Sequence, residues 1–340
     1  MKRAPSSVAS VIVLTLVLTT ARVAANAATP TRARSAGRAS ASAASKHHVY
    51  YVATNGSDAH AGTRAHPFRT IQRGLNRAHA GDTVIVRAGS YQPARFVRGG
   101  KKGAPITLRG LRGVLLQGDG SGTGLVVSGV SHVVVRGLTV VNFEVGIAVD
   151  DASAVVVTKN TARGNDDTGI QTTGSRHILV MRNRLVDLGL SPGVADQDYG
   201  VNFYFSRYVV ARHNYFFGRH NQALSFKRRV YHGSAIGNTF EGCLLTCLYI
   251  GQNDDDSEGD MTSSHITVQG NRFRAVRKGG TYYLLRTPIT VRNVQYALVQ
   301  YNIFDPSCEL GVYYSSSPQH AGLAVGHNTV RHNKVKRWRP

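Results

Sequence analysis

Residues 153–162 read SAVVVTKNTA, residues 175–185 SRHILVMRNRL and residues 206–216 SRYVVARHNYF. Each is a short β-branched run, then an Asn, then another apolar pair. The pattern returns as SHVVVRGLTV at 131–140, HGSAIGNTF at 232–240, SHITVQGNRF at 264–273, QYALVQYNIF at 295–304 and GLAVGHNTV at 322–330. The Asn positions are 160, 183, 214, 238, 271, 302 and 328, with Gly137 in the first copy, so the steps are 23, 23, 31, 24, 33, 31 and 26 residues. Self-similarity at such a period is the mark of a solenoid. A leucine-rich repeat would need a Leu framework that is missing, and a propeller blade needs about 40 residues per repeat. One coil of three short parallel strands fits, with loops absorbing the longer steps. An Asn at the corner accepts a left-handed or tight-turn backbone and stacks its amide on the Asn of the next coil. The expected fold is therefore all-β, a single-stranded right-handed parallel β-helix running over 91–334.

The chain before the repeats divides in three. Lys2 and Arg3 precede an apolar stretch from Val8 to Leu18, and Ala25-Asn26-Ala27 has the small-x-small pattern of a cleavage site, so 1–27 reads as a signal peptide and the protein as secreted. The stretch is too short for a membrane span, which needs about 20 apolar residues. Residues 28–46 are Ala, Ser, Thr and Arg with almost no large apolar side chain, a composition for a disordered linker. Within 47–90, Ile71, Leu75 and Ala78 recur at helical spacing behind Thr70 as N-cap. A short helix there would cover the open end of the first coil, as a solenoid end requires. Residues 335–340 form a basic tail.

The formal charge is +22; removal of 1–27 takes away Lys2, Arg3 and Arg22 and no acid, leaving +19. Such a field favours polyanions, and export argues for an acidic polysaccharide over nucleic acid. The expected state is a monomer. Three cysteines, Cys243, Cys247 and Cys308, are too few for a disulfide scaffold. Cys243 and Cys247 are the only local pair; Cys308 falls two coils on, about 9.6 Å away at the spacing of stacked strands.

The stretches YYVATNGSDAHAG, PFRTIQRGLNRA, GDTVIVRAGSY and GAPITLRG resemble the entry cap and first coils of extracellular right-handed β-helix proteins, among them Pel9A-type pectate lyases, chondroitinase B and alginate lyases. The resemblance runs from about His48 to the end. It implies the fold strongly and an activity loosely, because the same architecture carries lyases, hydrolases, epimerases and adhesins.

Five segments align by a small leading residue: GIAVD from Gly146, GIQTT from Gly169, GVNFY from Gly200, ALSFK from Ala223 and CLYIG from Cys247. Alternation sends Ile147, Ile170, Val201, Leu224 and Leu248 inward, together with Val149, Thr172, Phe203, Phe226 and Ile250. Outward point Ala148, Gln171, Asn202, Ser225 and Tyr249 in one column and Asp150, Thr173, Tyr204, Lys227 and Gly251 in the next. Gln171, Asn202 and the tyrosines suit a sugar-binding groove. Two residues before each leading residue stand Glu144, Asp167, Asp198 and Asn221. Carboxylates on neighbouring coils, about 5 Å apart, need a proton, an Arg or a cation between them. With Asp166 nearby, Asp167, Asp198 and Asn221 are candidate Ca²⁺ ligands, and neutralisation by Arg is the alternative. The acidic run Asp254, Asp255, Asp256, Glu258 and Asp260 reads as a solvated loop.

HNQALSFKRRVYHGSAIGNTFEGCLLTCLYIGQ resembles the catalytic stretch of chondroitinase B and alginate lyases, in which a Lys before an Asn-Thr corner is the base. The Lys falls on Lys227 and the corner on Asn238-Thr239. The assisting Arg of those enzymes falls on Tyr249, and their acidic metal ligands fall on His220 and Gln222. The resemblance implies β-elimination on a uronate polymer with Lys227 as base, which requires that Arg228, Arg229 or Ca²⁺ lower its pKa; Tyr249 on the following coil, or Tyr204 on the preceding one, is the candidate proton donor, and Arg228, Arg229 and His220 are expected near the substrate. An exposed lysine on a non-catalytic envelope or glycan-binding β-helix is the competing reading.

Overall fold

The computed structural model describes residues 47–186, 199–218, 220–243, 246–251, 262–274, 276–278, 281–283, 287–306, 311–315 and 329–335. The expected leader and linker, Asp198, the acidic run at 254–260, Cys308, Asn328 and the end of the basic tail lie outside the described residues.

Three parallel sheets of 13, 9 and 10 strands make up the described chain, and each middle coil contributes a strand to each sheet. Thr168–Thr173, Arg176–Met181 and Arg184–Val186 make up one such coil. The first strand belongs to what we call the site sheet, the second to the ladder sheet and the third to the short-strand sheet. Strand follows strand in register: Ser153, Val155, Val156 and Val157 pair with Arg176, Ile178, Leu179 and Val180, and these pair in turn with Arg207, Val209, Val210 and Ala211. The chain is thus a right-handed parallel β-helix.

The interior is filled by every second residue. Val155, Val157, Ile178, Val180, Val209 and Ala211 are buried, as are Leu185 and Phe216 of the short strands. The apolar residue two places after each late Asn continues the filling: Phe216, Phe240, Phe273 and Phe304 stack with ring centroids 4.7, 4.8 and 5.1 Å apart. Each buried side chain of this size contributes about 1.5–3 kcal/mol of transfer free energy. At the open end, helix α1 spans Ile71–Arg77; Thr70 caps it by accepting from the Arg73 N–H, and Ile71, Leu75 and Ala78 are buried against the first coil.

The corner after the ladder sheet is an asparagine ladder. Asn160, Asn183, Asn214, Asn238, Asn271 and Asn302 are all buried. Each Oδ1 accepts the backbone N–H and the Nδ2 of the preceding Asn at 2.9–3.2 Å, as between Asn214 and Asn238 (2.9 and 3.1 Å). Each Nδ2 also donates to a strand carbonyl one coil back, Ala211 in the case of Asn238. Every polar site of the amide is used, which is what burial of an amide demands.

The ladder corrects three sequence expectations. Its last member is Asn333, whose Oδ1 accepts from Asn302 at 2.9 Å, and not Asn328; the strand Thr329–Arg331 sets that register against Leu298–Gln300. In the first copy the place belongs to Leu138, whose N–H donates to Asn160 Oδ1, and not to Gly137. The left-handed residue is the one before each Asn, as in Lys159, Arg182, His213, Tyr301 and His332, with φ of 52–56°. A second corner was not foreseen: Ser175 Oγ accepts from Ala152 N–H, Ser206 Oγ from Ser175 N–H, and Ser263 Oγ from Val230 N–H, at 3.0–3.2 Å.

His220 belongs to the interior and not to a substrate face. It is 0% exposed and meets Phe216 edge-on at 6.4 Å. Alternation could not place it, because it lies at the corner before its strand. Burial pulls its pKa down to about 4 and keeps the ring neutral. Cys243 and Cys247, also buried, are joined as a disulfide with Cα atoms 5.3 Å apart.

Two stability predictions follow from this packing. Asn238→Ala orphans the Asn214 amide and the Ala211 carbonyl, and is expected to cost roughly 2–4 kcal/mol, a fall of roughly 5–10 °C in Tm; Asn238→Asp, which cannot donate, is expected to do no better. A Tm within a degree of wild type would remove the ladder from its structural role. For His220 the unfolded chain takes up a proton near pH 6.5 and the folded chain only near pH 4. Its contribution is complete above pH 6.5 and is lost as the pH falls through that window. His220→Leu is therefore expected to reduce the loss of stability between pH 7 and pH 4.5 by about 2 kcal/mol in denaturant titrations; identical pH profiles would contradict the assignment.

Candidate functional site

The site sheet holds the polar columns in the expected register. Ala148, Gln171, Asn202, Ser225 and Tyr249 stand side by side, and so do Asp150, Thr173, Tyr204, Lys227 and Gly251; the next strand, Thr287–Arg292, adds Thr290 to the first column and Arg292 to the second. The inward partners Ile170, Val201, Leu224, Leu248 and Phe203, Phe226, Ile250 are fully buried and anchor the strands. The outer face is not the open groove the sequence suggests: Asn202 is 1% exposed, and Lys227 and Tyr249 are each 4% exposed.

Lys227 sits between two aromatic rings. Its Nζ lies 4.9 Å from the Tyr199 ring centroid and 5.1 Å from that of Tyr249, and donates to Tyr199 Oη at 2.9 Å. A desolvated cation over ring faces gains about 2 kcal/mol or more. Tyr199 in turn hydrogen-bonds to Tyr204, and burial, followed by Tyr204 and the carboxylate of Asp167, pushes the Tyr199 phenol well above its ordinary value. Tyr199 therefore stays protonated. Lys227, Tyr199 and the half-buried Tyr204 form one hydrogen-bonded line from the interior of the site outward.

Several polar atoms around this line are buried and make no hydrogen bond: Asn202 Nδ2, Gln222 Oε1 and Asp167 Oδ1. Such groups are rare in folded proteins and each needs a reason. Asn202 Oδ1 is occupied by Ser225 Oγ at 2.5 Å, which leaves its amide nitrogen without a partner. Gln171 is half-buried and makes only a long contact, 3.4 Å, to Thr173. Unused donors and acceptors gathered beside a buried amine are what a ligand site leaves open.

Of the acid column, Glu144 and Asp167 lie on neighbouring coils, joined by the Asp167 N–H to the Glu144 carbonyl at 3.0 Å. Burial raises the Asp167 pKa, the Thr168 hydroxyl opposes the rise, Glu144 adds to it, and Lys227 lowers it. Asp166 is exposed and Asn221 buried. Asp198, the middle of the expected ion site, is outside the described residues. Among the described residues no three His, Cys, Asp or Glu side chains cluster as a metal group.

Arg228 and Arg229 follow Lys227 in left-handed backbone, with φ of 53° and 61°, and turn the chain toward the ladder sheet. Arg229 is exposed and Arg228 half-buried. His220, as described, faces the interior.

Two residues of the site were missed from the sequence. Tyr199 precedes the small Gly200 at which the aligned strands were taken to begin. Arg292 lies in a coil separated from Gly251 by a long insertion, so the 23-residue step did not reach it. Gly251 separates Lys227 from Arg292 in the column; at φ 127° a side chain there would overlap the Arg292 carbonyl oxygen, so this coil must be bare. Lys227 and Arg292 thus flank a position without a side chain, their backbones about 9.6 Å apart.

A family model described as Pel9A-like, right handed beta helix region, matches residues 50–198. Pectate lyase PEL9 of Emericella nidulans is 31% identical over 144 residues, covering 36% of this chain and 35% of that protein. Uncharacterized protein YwoF of Bacillus subtilis is 45% identical over 60 residues, 17% of this chain and 13% of that protein. The chain thus spans about a third or less of the length of these curated relatives. Among solved structures, the alginate lyase of Paenibacillus sp. str. FPU-7 superposes with a TM-score of 0.58 at 15% identity, over 79% of this chain and 95% of that one. The protein is a right-handed parallel β-helix that resembles the β-helix polysaccharide lyases, and its residues 50–198 match the Pel9A-like helix region.

Proposed function

We propose that the protein is a secreted lyase that cleaves an acidic, uronate-containing polysaccharide by β-elimination, with Lys227 as the base. The observation that carries this reading is the placement of Lys227: a buried amine held between Tyr199 and Tyr249, surrounded by unused polar atoms, with Arg292 in the same column. The relatives named pectate lyase and alginate lyase support the polymer class.

In the proposed reaction the neighbouring Arg228 and Arg229 oppose the gain from the rings and favour the neutral amine, and the unprotonated Lys227 Nζ takes the proton on the carbon next to the uronate carboxylate. The pair of electrons left behind spreads onto the carboxylate, where a cation must hold it. Arg292 is the candidate for that part, two coils from Lys227 and across the bare Gly251 position. The carbon–carbon double bond then forms as the bond to the glycosidic oxygen breaks, and Tyr249 protonates the leaving oxygen. Lys227 passes its proton along Tyr199 to Tyr204 and solvent, and Tyr249 takes one back from solvent, so that no net proton is gained or lost.

Ca²⁺ is part of the proposal. Asp166, Asp167 and Asn221 would supply oxygen donors, with Asp198, which lies outside the described residues, as the further ligand, and the Asp167 Oδ1, which makes no hydrogen bond, fits a hard cation. An ion there would contribute positive charge beside the substrate carboxylate. Calcium is expected to raise Tm, because a ligand specific to the folded state stabilises it, and Asp167→Ala is expected to abolish the rise. An unchanged calcium response in that variant would move the site elsewhere.

The test of the base uses the full chain on pectate, alginate and glycosaminoglycans. Lys227→Ala is expected to lower kcat by about 10²–10⁴ or more, and Lys227→Arg to be equally inactive, because a guanidinium stays protonated at working pH. Tyr249→Phe is expected to lower kcat while sparing the fold. If Lys227→Arg kept most of the rate, Lys227 would be a substrate clamp, and the base would have to be another group.

A further inference from the structure

The outer face of the ladder sheet carries a feature with no part in the reaction above. Five rings, His177, Tyr208, His232, His265 and Tyr296, stack on successive coils with centroids 4.9, 4.8, 4.9 and 4.8 Å apart. All five have left-handed backbone, with φ of 53–57°, and all five are exposed. Tyr208 and Tyr296 show 49% and 45% of their surface. Because the rings lie against one another, it is their edges that meet solvent. Those edges carry ring nitrogens and phenol hydroxyls, which are hydrogen-bonding groups.

The charge on this face is one-sided. The outward positions of the strands Ser131–Arg136, Ser153–Thr158, Arg176–Met181, Arg207–Arg212 and Tyr231–Ile236 contain no Asp or Glu. Arg176 and Arg207 are register partners beside the ring column, and Arg212 lies further along the second of these strands; all three are exposed. The Arg207 guanidinium lies 5.5 Å from the Tyr231 ring centroid, which holds it in place without neutralising it. A fold needing only inter-coil stacking could place rings inside, as it does with Phe216, Phe240 and Phe273. Here the rings are outside, next to cations.

We propose that this face is a second binding strip, separate from the Lys227 site, for a chain of acidic polysaccharide lying along the helix axis. Arg guanidinium groups pair with carboxylates in bidentate fashion, and the edges of the His and Tyr rings hydrogen-bond sugar hydroxyls. The rings recur at the strand spacing, about 4.8 Å, and Arg176 and Arg207 lie one such spacing apart, so a linear polymer meets several of these groups at once. Individually weak contacts then add through effective concentration. The strip goes beyond the proposed reaction and rests on it only for the class of polymer; the two faces are different sheets, joined at the serine corner. Burial, then the neighbouring His265, lowers the His232 pKa, so His232 adds no charge to the strip at neutral pH.

The experiment measures binding of the full chain to polygalacturonate and alginate by affinity electrophoresis, in parallel with turnover on short oligouronides that cannot span both faces. The triple variant Arg176→Gln/Arg207→Gln/Arg212→Gln is compared with Lys101→Gln/Lys102→Gln/Arg112→Gln, which loses the same charge from exposed positions elsewhere. The strip variant is expected to bind about tenfold more weakly or worse, the control within about twofold of wild type, with Tm and oligouronide turnover unchanged in both. Tyr208→Ala is expected to weaken binding at constant charge. Equal losses in strip and control variants, or no loss in either, would overturn the proposal. So would equal retention on polyphosphate, or a Tyr208→Ala variant that binds as wild type. Binding is read whether or not the wild type turns over, so failure of the strip and failure of the lyase reading are separate results.

Discussion

Everything in this molecule depends on the alignment of one coil upon the next, and the hydrogen bonds of the asparagine corner hold that alignment. Parallel backbone pairing alone leaves register open to slips, and a one-residue slip would turn every inward side chain outward. A buried amide that accepts from the coil behind and donates to the coil ahead, Asn214 to Asn238 to Asn271, fits only one register. The serine corner repeats the device at the other end of the ladder strand. Columns on all three faces are consequences of this constraint, and so is the meeting of Tyr199, Lys227 and Tyr249 from three different coils.

The candidate site departs from the rules that govern the rest of the fold. Along the corners buried polar groups are satisfied in pairs; around Lys227 the Asp167 Oδ1, Asn202 Nδ2 and Gln222 Oε1 atoms are buried without hydrogen bonds, as are a few atoms elsewhere, among them both ring nitrogens of His220. Leaving such groups unpaired costs about 1–3 kcal/mol each, a cost that a stacked core of this length can carry. The rings of Tyr199 and Tyr249 replace part of the hydration lost by the amine. Stability supplied by the corners is thereby spent at one place on the site sheet, which is where chemistry is to be sought.

How much of this was legible in the sequence follows from which signals are local. The inward and outward columns from Ile147 to Gly251 were readable, because a strict period of two and a small residue at each strand start fix them. The asparagines from 160 to 302 were readable because each sits in the same short context. Asn333 was not, since Asn328 offers a similar context five residues earlier and only pairing with Leu298–Gln300 decides between them. Tyr199 escaped because it stands one place outside the aligned strand, Arg292 because an insertion of variable length precedes its coil. His220 was assigned to the substrate face from a resemblance, yet at a corner neither alternation nor resemblance says which way a ring turns. That the outer face is covered was invisible too: burial of Asn202 and Tyr249 depends on what lies over them.

The two faces of the helix have different characters: the site sheet buries its polar groups, and the ladder sheet displays rings and arginines. A polymer held on one and cut on the other would use the rigidity of the stack as a ruler. The account stands on the cleavage being an elimination, so the decisive measurement is the nature of the new chain end. Wild-type protein acting on a uronate polymer should produce, for every bond broken, one unsaturated uronate end with its conjugated absorbance at the ultraviolet edge. New reducing ends without that absorbance would make the protein a hydrolase and contradict the role of Lys227, and no new ends on any uronate polymer would contradict the lyase reading itself.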